Sequence, residues 1–157
     1  MPERSDVKGA STKFHPALIF LFCLIAAAAT HKIQPIGLGG LAAFEYIGGA
    51  VAVAGVVMVF TAQFSLSRAN TSIDPRGPVT RIVTSGLFAY SRNPIYLGMC
   101  LITLGVGLRK NSLIIFAGTF VLALLLKHAV IQHEEAYLEE KFGESYLRYK
   151  NKVRRWL

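Results

Sequence analysis

Four apolar runs separated by short polar connectors constrain this chain more than any other feature. They are Pro16 to Ala29, Leu41 to Leu66, Ile95 to Leu108 and Leu113 to Ile131. Crossing a bilayer takes about 20 apolar residues as an α-helix, because backbone polar groups in hydrocarbon find partners only along their own helix. The second run is long enough to cross with tilt to spare. The first reaches the needed length when Phe14, His15 and Thr30 serve as interfacial ends. With basic residues ahead of it and an Ala-rich end, it also fits a cleaved signal peptide. The third run is short and broken by Gly98, Gly105 and Gly107, and the turn Arg109-Lys110-Asn111-Ser112 joins it to the fourth as a helical hairpin. The expected fold is all-α: a polytopic membrane bundle of about four transmembrane helices, with a C-terminal amphipathic helix.

Composition agrees. At 157 residues a single domain is expected, and 53% hydrophobic content is high for a soluble domain of this size. The net charge of +8 would suggest nucleic acid in a soluble protein. Here the basic residues flank apolar runs and cluster at the end, which fits the cationic face of a membrane protein, so no nucleic-acid partner is expected. Cys23 and Cys100 each lie inside an apolar run, where cysteine acts as a small hydrophobe. They form neither a disulfide framework nor a metal spacing. His128 and His133 are five apart, off a common helical face, and no metal site is expected.

Residues 1–13 are polar, with Arg4, Lys8 and Lys13, and read as a flexible arm. Gln34 to Gly40 carries the turn residues Pro35, Gly37 and Gly39. Gly48, Ala52 and Gly55 share one face of the second run, where small residues allow close backbone approach, either within the monomer or between two copies. From Gln132 the pattern changes to an amphipathic helix over 132–157. Leu138, Phe142, Tyr146, Tyr149 and Val153 line one face, Gly143 interrupts it, and Trp156 suits an interfacial anchor. Alternating four spans places thirteen Lys and Arg on the N-terminal side against three on the other. The positive-inside rule then predicts cytoplasmic termini, with the polar connector 67–94 and the tail on that same face.

That connector reads PVTRIVTSGLFAYSRNPIYLG from Pro78 to Gly98. Its polar residues alternate with Ile82, Val83, Leu87 and Phe88, as expected of a segment packed against something. Thr84-Ser85-Gly86-Leu87-Phe88 followed by Arg92-Asn93-Pro94-Ile95-Tyr96-Leu97-Gly98 resembles the signature of the isoprenylcysteine carboxyl methyltransferase and phospholipid N-methyltransferase superfamily of integral membrane enzymes. The tail resembles the same superfamily in Glu134-Glu135-Ala-Tyr-Leu138, Phe142-Gly143-Glu-Ser-Tyr146 and Val153-Arg-Arg155. The two blocks cover about half of the chain in the superfamily's order.

The resemblance implies S-adenosylmethionine-dependent methyl transfer to a lipophilic acceptor: a prenylated cysteine carboxylate, a phospholipid amine or a small apolar molecule. It implies cofactor contacts from Thr80, Arg81, Ile82, Val83, Phe88, Asn93, Pro94, Ile95 and Tyr96. Glu134 and Glu135 would close over the polar end, Glu134 foremost, and Arg92, Asn93 and Tyr96 would serve catalysis. A carboxylate and aromatic faces are apt partners for a sulfonium and an ammonium. The ordinary alternative for the two glutamates is a favourable place in the first turn of an amphipathic helix. Asn93 stands where the pattern often has histidine. Val130 stands where eukaryotic prenylcysteine enzymes place a substrate-contacting arginine, which argues against a prenylcysteine carboxylate. The chain's shortness resembles compact prokaryotic members, implying residence in an inner membrane. Two other readings remain open. Membrane sterol and steroid reductases carry a similar Arg-(His/Asn)-Pro-x-Tyr-x-Gly segment and bind NADPH, and a non-catalytic helical scaffold would use its basic tail on anionic lipid.

Overall fold

In the computed structural model, residues 9, 10, 12, 14–40 and 42–157 are described, and all the regular structure among them is helical. Most of the expected N-terminal arm, with Arg4, Lys8 and Lys13, and Leu41 at the start of the second apolar run lie outside the described residues. Helix α1 spans Pro16–Ile33, with Pro16 at its first position and the His15 ring accepting the Ala17 N–H at 3.2 Å. A proline there is favourable because that N–H has no helical partner. Helix α2 spans Ala43–Arg68, α3 Pro94–Arg109 and α4 Leu113–Leu126. A π-helical turn, Lys127–Ile131, carries α4 directly into α5, Gln132–Phe142. The tail thus begins as an unbroken continuation of the last hairpin helix. The chain reverses only at Gly143, where φ is +49°, before α6, Glu144–Lys152.

Among the described residues, three helices are long and apolar enough to cross a membrane: Pro16–Ile33, Ala43–Arg68 and Leu113–Phe142. The apolar helix α3 has 16 residues, a length of about 24 Å. Pro94 fixes its start and the Lys110–Ser112 turn its end.

Helices α3 and α4 form the central antiparallel pair, with α2 packed along α3 and α1 along α4. The α2–α3 contact is a backbone-to-backbone one. A Cβ on Gly48 would lie 2.6 Å from the Gly105 carbonyl oxygen, and one on Gly105 would lie 2.4 Å from the Ala52 nitrogen. Gly55 and Gly98 make the same close approach one step along. The small-residue face of α2 is therefore used within the chain. Gly105 and Gly107 belong to packing as well, Gly107 meeting the backbone of α4 at Phe116. Cys23, Tyr96, Met99, Cys100, Leu122, Leu126, Val130 and Ile131 form the core, with Trp156 packed against it.

The hairpin end is tied down by polar contacts. Ser112 caps α4 through the Ile115 N–H and meets the His31 ring at 2.9 Å. Asn111, at φ +47°, accepts the Leu38 N–H at 3.0 Å. These bonds join the α1–α2 turn to the α3–α4 turn at one end of the bundle, leaving the connector and the tail to meet at the other.

Candidate functional site

The connector is a set of turns held by its own polar groups. Thr80 donates its hydroxyl to the Asn70 carbonyl at 2.8 Å, and its N–H reaches the Thr71 hydroxyl at 3.1 Å. Asp74 accepts the Arg76 N–H and pairs with its guanidinium at 3.0 Å, which holds the Asp74 carboxyl below its ordinary range. The chain at Gly9 and Ala10 lies on this turn, with the two N–H groups donating to the Arg76 and Pro75 carbonyls. Gly86, at φ +62°, opens the 3-10 turn Gly86–Ala89, and this conformation turns Phe88 inward, where it is buried.

The tail fastens this connector to the start of α3. The Arg92 N–H donates to the Arg154 carbonyl at 3.0 Å. The Asn93 side-chain amide donates to the Arg155 carbonyl at 3.0 Å, and the Tyr149 hydroxyl donates to the Phe88 carbonyl at 2.7 Å. Burial raises the Tyr149 phenol to about 12 and pushes that of Tyr146 higher still.

The two adjacent glutamates take different partners. Glu134 accepts the Tyr96 hydroxyl at 2.6 Å, joining α5 to α3. Glu135 is a buried anion between two cations. Arg155 reaches it through two nitrogens, at 3.0 and 2.6 Å, and Arg92 through a third at 3.1 Å. The side chains of Arg92 and Glu135 are 9% and 8% exposed, so this pair sits out of water. Arg155 is thus committed to an internal ion pair.

Connector, α3, α5 and α6 enclose a cavity of about 850 Å³ including its open mouth. Of the residues singled out from sequence, Arg81, Ile82, Val83, Phe88, Arg92, Asn93, Pro94, Ile95, Tyr96, Glu134 and Glu135 line it. Thr80 does not, and its two hydrogen bonds instead hold the loop that carries Arg81. The lining also includes Leu66, Ile73, Tyr137 and Leu138, which sequence reasoning had not singled out as site residues. Tyr137 and Leu138 fall three and four residues after Glu134, on its helical face. No sequence signal marks Leu66 or Ile73.

The family model for phospholipid methyltransferase matches residues 44–145. The chain belongs to the phospholipid methyltransferase family. The match takes in α2, the connector, the hairpin and α5, and ends at the second residue of α6. Two curated relatives align with part of the chain. One, an uncharacterized protein of Haemophilus influenzae, is 43% identical over 63 residues, which is 40% of this chain and all of that protein. The other, the protein-S-isoprenylcysteine O-methyltransferase of Schizosaccharomyces pombe, is 37% identical over 75 residues, 46% of this chain but 30% of that enzyme. Among solved structures, the eukaryotic intramembrane Ras methyltransferase ICMT superposes with a TM-score of 0.67 at 23% identity, over 90% of this chain and 51% of that one. This phospholipid methyltransferase family member therefore shares its helical frame with the isoprenylcysteine enzyme while spanning about half of its length.

The cavity fits the cofactor that such methyltransferases imply. Its wall offers apolar and aromatic side chains beside the Glu134 carboxylate, suited to an adenosine ring and a sulfonium.

Proposed function

We propose that this protein is a membrane methyltransferase that uses S-adenosylmethionine to methylate a lipophilic acceptor. The observation that carries the reading is the meeting of Tyr96 and Glu134 at 2.6 Å in the wall of a cavity built from both family blocks. Phe88, Ile82, Val83 and Ile95 would cover the adenosine, and Glu134 would face the cationic end. When bound, the cofactor supplies a methyl group on a positively charged sulfur. The chain's own tasks are then to align that methyl with the acceptor and to exclude water. Tyr96 holds the Glu134 carboxylate in one orientation, and the buried wall strengthens its attraction for a cation. Apolar flanks on α1, α2 and α4 suit an acceptor that reaches the site from lipid. We read the termini as cytoplasmic, which places the cavity on the side where the cofactor is made, and the membrane as a prokaryotic inner membrane.

Calorimetry on the detergent-purified protein tests this reading. S-adenosylmethionine and S-adenosylhomocysteine are expected to bind, and NADPH is not. Glu134→Gln is expected to weaken binding about 10-fold or more, the loss of one charge-assisted contact. Binding of NADPH alone would replace the methyltransferase with a reductase, and binding of none of the three would leave a scaffold.

A further inference from the structure

The N-terminal arm reaches the cavity from outside the motif blocks. The Gly9 N–H donates to the Arg76 carbonyl at 3.0 Å and the Ala10 N–H to the Pro75 carbonyl at 2.8 Å. Among the described residues these are the arm's only hydrogen bonds to the connector. The fit is close: a Cβ on Gly9 would lie 2.6 Å from the Pro75 carbonyl oxygen, so only glycine allows this approach. Ala10 is 3% exposed and lines the cavity together with Pro75, so the arm and its seat belong to one wall. The seat is firm, because the Asp74–Arg76 ion pair braces the turn and the Gly77 N–H donates to the Asp74 carbonyl at 2.8 Å. The arm is held less well. Thr12, 8% exposed, buries a hydroxyl that has no partner among the described residues, a cost recovered when the arm lifts into water. Segments held by few bonds are the ones that open locally while the rest stays folded.

We propose that this arm is a strap: it lifts from the Pro75–Gly77 turn to let the cavity's ligand in and out, and reseats to close the wall behind it. The arm stays tethered as it moves, because the His15 ring caps α1 close behind it and Pro16 fixes the helix start. A lid of this kind holds the ligand and keeps water from it. The strap rests on the reading above for the identity of the ligand, and adds to it how the cavity is reached. By linkage, a ligand enclosed by the seated arm stabilises that arm as much as the seated arm stabilises the ligand.

The probe is S-adenosylhomocysteine on the full-length, detergent-purified chain. Its association and dissociation rates are measured by surface plasmon resonance. Trypsin cleavage after Lys8 and Lys13, the basic residues on either side of the strap, is timed with and without it. In the wild type the ligand is expected to slow this cleavage about 10-fold, the worth of one to two backbone hydrogen bonds. Gly9→Val cannot seat the arm and should release the ligand about 10-fold faster, with association faster as well. Protection from trypsin should disappear in the same variant. Ala10→Pro, which lacks the N–H donated to Pro75, should behave likewise. A merely structural role predicts the opposite sign for entry, since a deformed cavity takes up ligand more slowly. Equal cleavage with and without ligand, or cleavage in neither case, overturns the strap, as does slower association or unchanged dissociation in both variants. If the wild type binds no S-adenosylhomocysteine, the methyltransferase reading fails and the strap with it. Binding without protection fails the strap alone.

Discussion

Tyr149 shows how one side chain links the tail to the site. It is 8% exposed, and its hydroxyl donates to the carbonyl of Phe88, one of the connector residues that line the cavity. Folding favours its neutral form, so its contribution is complete below pH ~10, the ordinary range of a phenol. The contribution is lost as pH rises toward about 12, the folded value. The melting temperature in detergent is therefore expected to fall between pH 10 and 12, less steeply in Tyr149→Phe. At neutral pH that substitution should cost ~1 kcal/mol, the worth of one hydrogen bond. An identical alkaline slope in both proteins would assign the titration elsewhere. The adjacent glutamates make a second residue-scale contrast. Removing the Glu135 carboxylate leaves Arg92 buried and uncompensated, and loss of one partner of a buried pair costs about 3–5 kcal/mol. Glu135→Gln is thus expected to lower the melting temperature by more than Glu134→Gln does.

At the scale of elements, the α2–α3 seam and the π-helical turn matter most. The seam allows no side chain at Gly48 or Gly105, where a Cβ would come within 2.4 Å of backbone nitrogen. Gly105→Val should therefore separate the helices and destabilise the fold by ~1–3 kcal/mol or more, the usual cost of overpacking. Gly49→Ala is the control. Its nearest neighbour is an Arg109 side-chain nitrogen at 3.5 Å, and only a small change is expected. Thermal unfolding of the two variants decides, and equal melting temperatures would mean that the seam is looser than its geometry. The π turn has a different consequence. Such turns hold one residue more than an α-helical turn and shift the phase of everything after them. Val130 and Ile131 are both fully buried there, and the next turns place Glu134 toward Tyr96 and Glu135 toward the arginines.

Across the whole molecule, the cavity wall comes from pieces far apart in sequence, and the last residues fasten it. Arg154 and Arg155 hold the backbone of Arg92 and the amide of Asn93, and Trp156 packs against the core. Deleting residues 154–157 should reduce S-adenosylhomocysteine affinity at least ~10-fold through loss of Asn93 and Arg92 positioning, since one to two hydrogen bonds are worth about that much. Circular dichroism should still report most of the helix, because α1 to α4 pack without the tail. Unchanged affinity in the truncated chain would show that the α3 motif keeps its shape unaided.

Much of this was legible in the chain itself. Hydrocarbon leaves backbone groups no partner but their own helix, so apolar runs of this length had to be helical. The hairpin turn, the break at Gly143 and the close-approach face of α2 follow from local chemistry: polar residues, a left-handed glycine, small side chains at helical spacing. The residues from Arg81 to Tyr96 and the two glutamates, which line the cavity, were singled out because their order resembles that of a known family. What only tertiary structure decided is the division of labour among them. Adjacent carboxylates at 134 and 135 look alike in sequence, yet the phase set by the π turn sends one to a tyrosine and the other to two arginines. Thr80 reads as part of the site, yet its hydrogen bonds turn it to the loop behind. Arg155 reads as a basic surface residue and is half of an ion pair. The glutamate and arginine pairings join residues 20 to 43 positions apart, and Thr80 bonds to residues 9 and 10 positions back across a turn; linear order carries no information about such distances.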